Sequence, residues 1–111
     1  MAEATIEELA GRVFAARDIA HREHWRTRGF SAHSALGDLY EALPGAIDEI
    51  VEVYQGQFGL IESFVLEVGE VSDVVAYLTA EAAWIAQSRD AISRGSTPVQ
   101  NLLDGLLAEY R

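Results

Sequence analysis

The sequence predicts an all-α bundle of four helices whose neighbours run antiparallel, and three observations carry that expectation. Apolar residues recur at steps of three and four in four separate segments. Helix-start chemistry stands ahead of several of them, as at Thr5-Ile6-Glu7-Glu8, where a threonine and a glutamate three residues on make a capping box. Glycines at 29, 56, 59 and 95 punctuate the chain between the runs. At 111 residues the chain has the size of one domain, and folding such a chain buries about two-thirds of its surface. Residues 1–111 are therefore read as a single helical domain.

The first helix is expected from about Thr5 to about Thr27, with Ile6, Leu9, Val13, Ala16 and Ala20 as its apolar stripe. His24 lies 18 residues after Ile6, five turns at 3.6 residues per turn, so it faces the core side. His21 sits roughly 60° away on the same side. Arg17 falls within the stripe and needs a carboxylate partner. After Arg28-Gly29-Phe30, Ser31 is expected to cap a second helix that runs to Gln55-Gly56 on Leu36, Tyr40, Leu43, Ile47, Ile50 and Tyr54. Pro44 inside it removes one backbone hydrogen bond, at about 3 kcal/mol in a straight helix, and predicts a kink or a local break.

Residues 55–69 are interrupted by Gly56 and Gly59, and the apolar run from Leu60 to Leu66 suits a short helix or a buried strand. A short connecting helix is expected there. The third helix is expected from about Val71 to Arg94 on Val71, Val74, Val75, Leu78, Ala82 and Ile85, with Gly95 ending it. Thr97-Pro98 reads as an N-cap followed by a first-turn proline, and Leu102, Leu103, Leu106, Leu107 and Tyr110 make the inward face of a short last helix. Trp84, Phe58 and Phe64 are expected as core or interface anchors.

Composition narrows the function classes. Eight arginines and no lysine stand against eighteen acidic residues, a net charge of −10, which repels a phosphate backbone. Arg12, Arg17, Arg22, Arg26 and Arg28 fall on several helix faces, so nucleic-acid binding is disfavoured. The absence of cysteine removes disulfides, thiolate metal sites and thiol nucleophiles, and it suits a reducing cytoplasm. The acidic N-terminal residues lack the basic and apolar regions of a leader, and no run of 18 apolar residues occurs, so no membrane partner is expected.

Three histidines, His21, His24 and His33, are the only imidazoles, and all lie around the first interhelical turn. Asp48 and Glu52 share a helix face by their four-residue spacing, roughly 120–160° from the apolar stripe of the second helix. They point away from the chain's own core, so they would meet the histidines across a subunit interface. Imidazoles with carboxylates form an N/O donor set suited to iron, manganese or zinc, and carboxylates favour ferric iron by charge and hardness. The competing structural reading is that twelve glutamates create such spaced pairs by chance and that a histidine on an apolar stripe packs or caps.

The run His24-Trp25-Arg26-Thr27, then His33, Leu39-Tyr40, Asp48, Glu52 and Tyr54-Gln55-Gly56 resembles the first two helices of Dps proteins, the bacterial mini-ferritins. It is closest to the small Dps-like proteins encoded by bacteriophages. The likeness covers roughly residues 15–60, and Gln100-Asn101-Leu102-Leu103-Asp104 resembles the start of the family's last helix. It implies a ferritin-like antiparallel four-helix bundle with a short connecting segment between helices 2 and 3. It also implies an inter-subunit site with His24, His33, Asp48 and Glu52 as catalytic and metal-binding residues and Trp25 packed beside them. The spacing of ordinary Dps histidines is kept by His21 and His33, so His21 is a rival to His24 or an added ligand. No histidine follows a glutamate by three residues, as ferritin ligands would.

The resemblance implies an iron-binding ferroxidase of the cytoplasm, bacterial or that of a phage host, that oxidises Fe(II) and protects against oxidative stress. Its partners would be further copies of the chain, as a homodimer or a dodecameric cage. The alternative is a non-enzymatic ferritin-like structural or adaptor oligomer, since a shared fold does not carry an activity with it.

Overall fold

The computed structural model describes residues 3–110; Met1, Ala2 and Arg111, and with them the start of the N-terminal segment read above for a leader, lie outside the described residues. It is all-helical: α1 spans Ile6–Arg26, α2 Phe30–Phe58, α3 Val74–Ser93 and α4 Thr97–Tyr110. Each helix packs against two others in the cyclic order α1, α2, α4, α3. The 29 residues of α2 rise about 43 Å at 1.5 Å each, which matches the 43 Å long axis of the molecule. One helix therefore runs the full length of the bundle.

The α1 stripe is buried as its periodicity predicts. On α2 Leu36, Leu43, Ile47 and Ile50 are buried as expected, Tyr40 and Tyr54 are only partly buried, and Leu39 joins the core. Leu9, Val13, Leu43 and Ile50 are fully enclosed. They meet Ile85, Ile92, Val99, Leu103 and Leu106 from α3 and α4 in one core. Burying an aliphatic side chain of this size contributes about 1.5–3 kcal/mol, so these residues supply the main driving force. On α3 the expected stripe is only partly right. Leu78, Ala82 and Ile85 are buried, but Val75 is 69 % exposed and Val71 precedes the helix.

Helix ends show which local signals won. Thr5 caps α1 by accepting from the Glu8 N–H at 3.2 Å, one half of the expected capping box, while the Glu8 carboxylate pairs with Arg12. At α2 the helix starts one residue before Ser31: Gly29 is the cap, without a side-chain bond, and its carbonyl accepts from His33 N–H at 2.9 Å. Pro44 does not break α2, which continues through it. Asp73 caps α3 through the Ala76 N–H. Arg94 and Gly95 follow with φ of +52° and +81°, and the left-handed pair turns the chain into α4. The cap there is Ser96 and not Thr97: its hydroxyl accepts from Val99 N–H and donates to Gln57 Oε1 at 2.7 Å, tying the start of α4 to the end of α2.

The connection between α2 and α3 differs most from expectation. Residues 59–73 form no helix; they make an extended strap along α1. Gly59, at φ +99°, stops α2, and the Gln55 side chain takes the Ile61 N–H. The strap then follows α1 from its first turns to its end. Glu62 N–H donates to Glu7, Phe64 stacks on Phe14, Val65 lies against Gly11, and Gly69 and Glu70 meet Arg22 and Arg26. Eight extended residues cover roughly 26 Å, close to the rise of the nineteen helical residues they run beside. An extended path is what lets so few residues return the chain to the far end of α1. Gly11 makes the crossing possible, because a Cβ there would overlap the Val65 carbonyl.

Candidate metal centre at the first interhelical turn

The turn at Thr27-Arg28-Gly29 brings the end of α1 back on the start of α2, and all three histidines gather there. His24 and His33 stack, with ring centroids 3.6 Å apart and planes at 22°. Each is anchored on the other's backbone: His24 Nδ1 lies 2.6 Å from the His33 carbonyl and His33 Nδ1 lies 2.9 Å from the His24 carbonyl. A carbonyl only accepts, so Nδ1 carries the proton in both rings. When the rings are neutral, Nε2 therefore holds the free lone pair, the state a metal-binding imidazole needs.

His21 stacks on Tyr40 at 3.9 Å and tilts against Trp25 at 4.5 Å. Trp25 itself is 71 % exposed, beside His21 and not enclosed with the His24–His33 pair. Two further residues shape this cluster, Gly37, which carries no chemical signal in the sequence, and Tyr40, which is read there as a stripe residue and as part of the family likeness. Gly37 lies where a Cβ would come within 3.2 Å of the His24 ring, and Tyr40 sits between His21 and His24. A glycine one turn after a histidine is the only hint of that close approach.

Asp48 and Glu52 lie on the exposed face of α2, off the core as their spacing predicts. Neither makes an ion pair among the described residues. Asp48 is fifteen residues beyond His33 on the same helix, about 22 Å along its axis, so the carboxylates and imidazoles of one chain cannot share an ion. Among the described residues no three His, Asp or Glu side chains converge into a metal-holding group. The ring geometry adds a second constraint. Lone pairs lie in the ring planes, and two imidazoles holding one ion at about 2.1 Å with centroids this close need planes splayed by roughly 65°. At 22° they cannot share one ion, whereas each can hold its own.

Among the described residues five arginines pair with carboxylates, Arg12, Arg17, Arg22, Arg26 and Arg89, while Arg28 and Arg94 pair with none. Arg12 bridges Glu8 and Glu81, Arg17 meets its neighbour Asp18 and lies over Phe14, and Arg22 and Arg26 hold Glu23 and Glu70. The Arg26 guanidinium holds the Glu70 carboxyl below its usual range, with Arg22 adding to the effect. The expected anchors separate: Phe58 packs with Tyr54 under Arg94, Phe64 pairs with Phe14, and Trp84 lies under Arg12 at 4.0 Å. Beside Arg12, burial raises the Glu81 carboxyl and pushes the Tyr77 hydroxyl up to about 12. The Tyr110 hydroxyl is buried without a hydrogen-bond partner, and burial raises it too. No helix among the described residues is long and apolar enough to cross a membrane.

No curated protein and no solved structure matches the chain. One family model does, over residues 24–111, a span that holds His24, His33, Asp48 and Glu52 and begins after His21. On that match, which takes in most of its length, the chain belongs to DUF5856, a family of unknown function.

Proposed function

We propose that the chain is a ferritin-like, Dps-like iron-binding protein whose copies pair, so that His24 and His33 of one copy face Asp48 and Glu52 of another. Fe(II) bound between them is oxidised, and the biological role is protection against oxidative stress in the cytoplasm of a bacterium or a phage-infected host. The observation that carries this reading is the reciprocal anchoring of the two Nδ1 atoms, which keeps both Nε2 lone pairs available. Iron is the substrate here. Each Fe(II) gives up one electron to dioxygen or peroxide, while hard, anionic carboxylates favour the ferric product. The stacked rings favour one ion per imidazole over a single shared ion.

The ferritin-like arrangement is supported by the strap, since such bundles use one long crossover connection. It is supported also by contacts that run in opposite senses along neighbouring helices: the start of α3 at Val74 lies with Glu23 and Arg26 while Glu81 pairs with Arg12, and Gln100 bonds Asp90 while Asp104 pairs with Arg89. His21 remains a rival or additional ligand beside His24.

The test is an aerobic Fe(II) titration of metal-free protein, following near-ultraviolet ferric absorbance against a protein-free control. A break at about one or two irons per chain is expected. Asp48→Ala and Glu52→Ala should abolish it with helical circular dichroism unchanged, because both side chains are exposed. Traces that match the control would overturn the proposal. The single-chain arrangement, with the rings stacked and no third ligand near, favours a second reading: a non-enzymatic ferritin-like structural or adaptor oligomer. That reading predicts flat titrations from a stable homodimer or larger assembly.

A further inference from the structure

The strap carries unpaired main-chain groups. From Ser63 to Val71 none of its backbone N–H groups donates to another described residue, and only the Gly69 carbonyl accepts, from Arg22. The side chains are those of a strand, with Val65 72 % exposed and Leu66 and Val68 nearly half exposed. Extended backbone with free donors and acceptors and apolar, β-branched side chains is a template for pairing with another chain. Most proteins cover or blunt such an edge.

Alongside the strap runs a cleft of about 810 Å³, walled by the strap on one side, by α1 on the floor and by α3 on the other. Ala15, Ile19 and Phe64 give it apolar surface. Its charge is one-sided: Glu7, Glu8, Glu67, Glu70 and Glu81 line it against Arg12, and of these Glu70 is paired with Arg22 and Arg26 of α1. Arg12 is already divided between Glu8 and Glu81, and Glu67 has no ion-pair partner among the described residues. The cleft is therefore long, strand-edged, partly apolar and anionic.

We infer that this cleft binds an extended peptide segment of a partner protein in which basic and apolar side chains alternate, by strand addition to Ser63–Val71. Main-chain bonds to the strap give the affinity in such a mode, and alternate side chains read the walls. The strap's span of roughly 26 Å takes six to eight extended residues. Apolar residues of one parity fall against Ala15, Ile19 and Phe64, while basic residues reach the glutamates. An acidic segment, including a second copy of this strap with its own Glu62 and Glu67, is disfavoured by like charge.

The probes are two capped hexapeptides, one alternating lysine and valine and the other alternating glutamate and valine, titrated into the whole protein. Backbone amide shifts and hydrogen exchange provide the readout. The lysine peptide is expected to bind, more weakly as salt is raised, to shift the amides of 63–71 and to slow their exchange, while the glutamate peptide leaves them unmoved. Glu67→Lys should weaken binding about fivefold without changing the circular dichroism, since Glu67 is exposed. Any of four outcomes would overturn the inference: no binding, equal binding of the two peptides, shifts confined to another surface, or protection of 63–71 that appears without peptide and grows with protein concentration. The last would assign the edge to a second copy.

Discussion

Gly11→Ala sets two effects of opposite sign against each other. Gly11 is buried in the second turn of α1, and replacing glycine by alanine in a helix interior stabilises by about 1 kcal/mol. The new methyl would overlap the Val65 carbonyl, so the strap must lift. Lifting it loosens the Phe14–Phe64 stack, about 0.5–1.5 kcal/mol, and the Glu62 N–H bond to the Glu7 carboxylate, about 1.5–3 kcal/mol for a charged acceptor. The expected net effect is a loss of about 1–3 kcal/mol. Gly105→Ala in α4 is the control, because nothing lies within 4 Å of its added carbon and only the propensity gain should remain. Urea melts followed by circular dichroism should show Gly11→Ala shifted down by roughly 1 M and Gly105→Ala shifted up by roughly half that. If both variants gain stability alike, the strap does not cross α1 at Gly11, and the reasoning about the crossover fails.

Three more predictions rest on different parts of the molecule. Leu103→Ala, at a fully buried position, should cost about 2–5 kcal/mol, whereas Val75→Ala at an exposed one should change stability by less than about 0.5 kcal/mol in the same melts. Glu70 and Asp104 are held below their ordinary carboxyl values by hydrogen bonds from Arg26 and Arg89, so their stabilisation is present above those values and lost as pH falls through the lower folded ones. Asp104→Asn should flatten the acid limb of the urea midpoint below about pH 4, its unfolded value being near 3.8. Glu81 has the opposite sign: burial raises its folded value, so its contribution becomes less favourable as pH climbs from about 4.5 toward that value. Glu81→Gln, which can still accept from Arg12, should remove this slope and leave the protein at least as stable at pH 7.

What was legible in the sequence was periodicity backed by local capping. Ile6 to Ala20 and Leu36 to Ile50 were readable because three- and four-residue spacing has one structural meaning over five turns, and Thr5 with Glu8 fixed a start. Ser31 and Thr97 failed as caps because an earlier residue could do the job, Gly29 two positions before through its carbonyl and Ser96 one position before through a hydroxyl that also binds Gln57. The strap was not legible. Leu60 to Leu66 has helical or strand-like composition, and only tertiary contact with α1 decides that it stays extended. At the candidate site, the gathering of histidines at one turn and the outward carboxylates could be read from spacing. The stacking of His24 on His33 could not, because it depends on how closely Gly37 lets the helices approach.

The crossed imidazole bonds also have a meaning for α1 as a helix. The last four carbonyls of a helix lack intrahelical donors, and His24 owns one of them, since α1 ends at Arg26. The His33 ring N–H fills that vacancy, so a residue of α2 acts as a C-terminal cap on α1. Anything that fixes the proton on His33 Nδ1, a metal ion on Nε2 included, tightens the final turn of α1, and anything that removes the ring lets that turn fray. Helix fraying and ligand occupancy are thereby linked through one side chain, and slowed amide exchange at Thr27, whose N–H closes that turn on the Glu23 carbonyl, becomes a reporter of events at the imidazole pair.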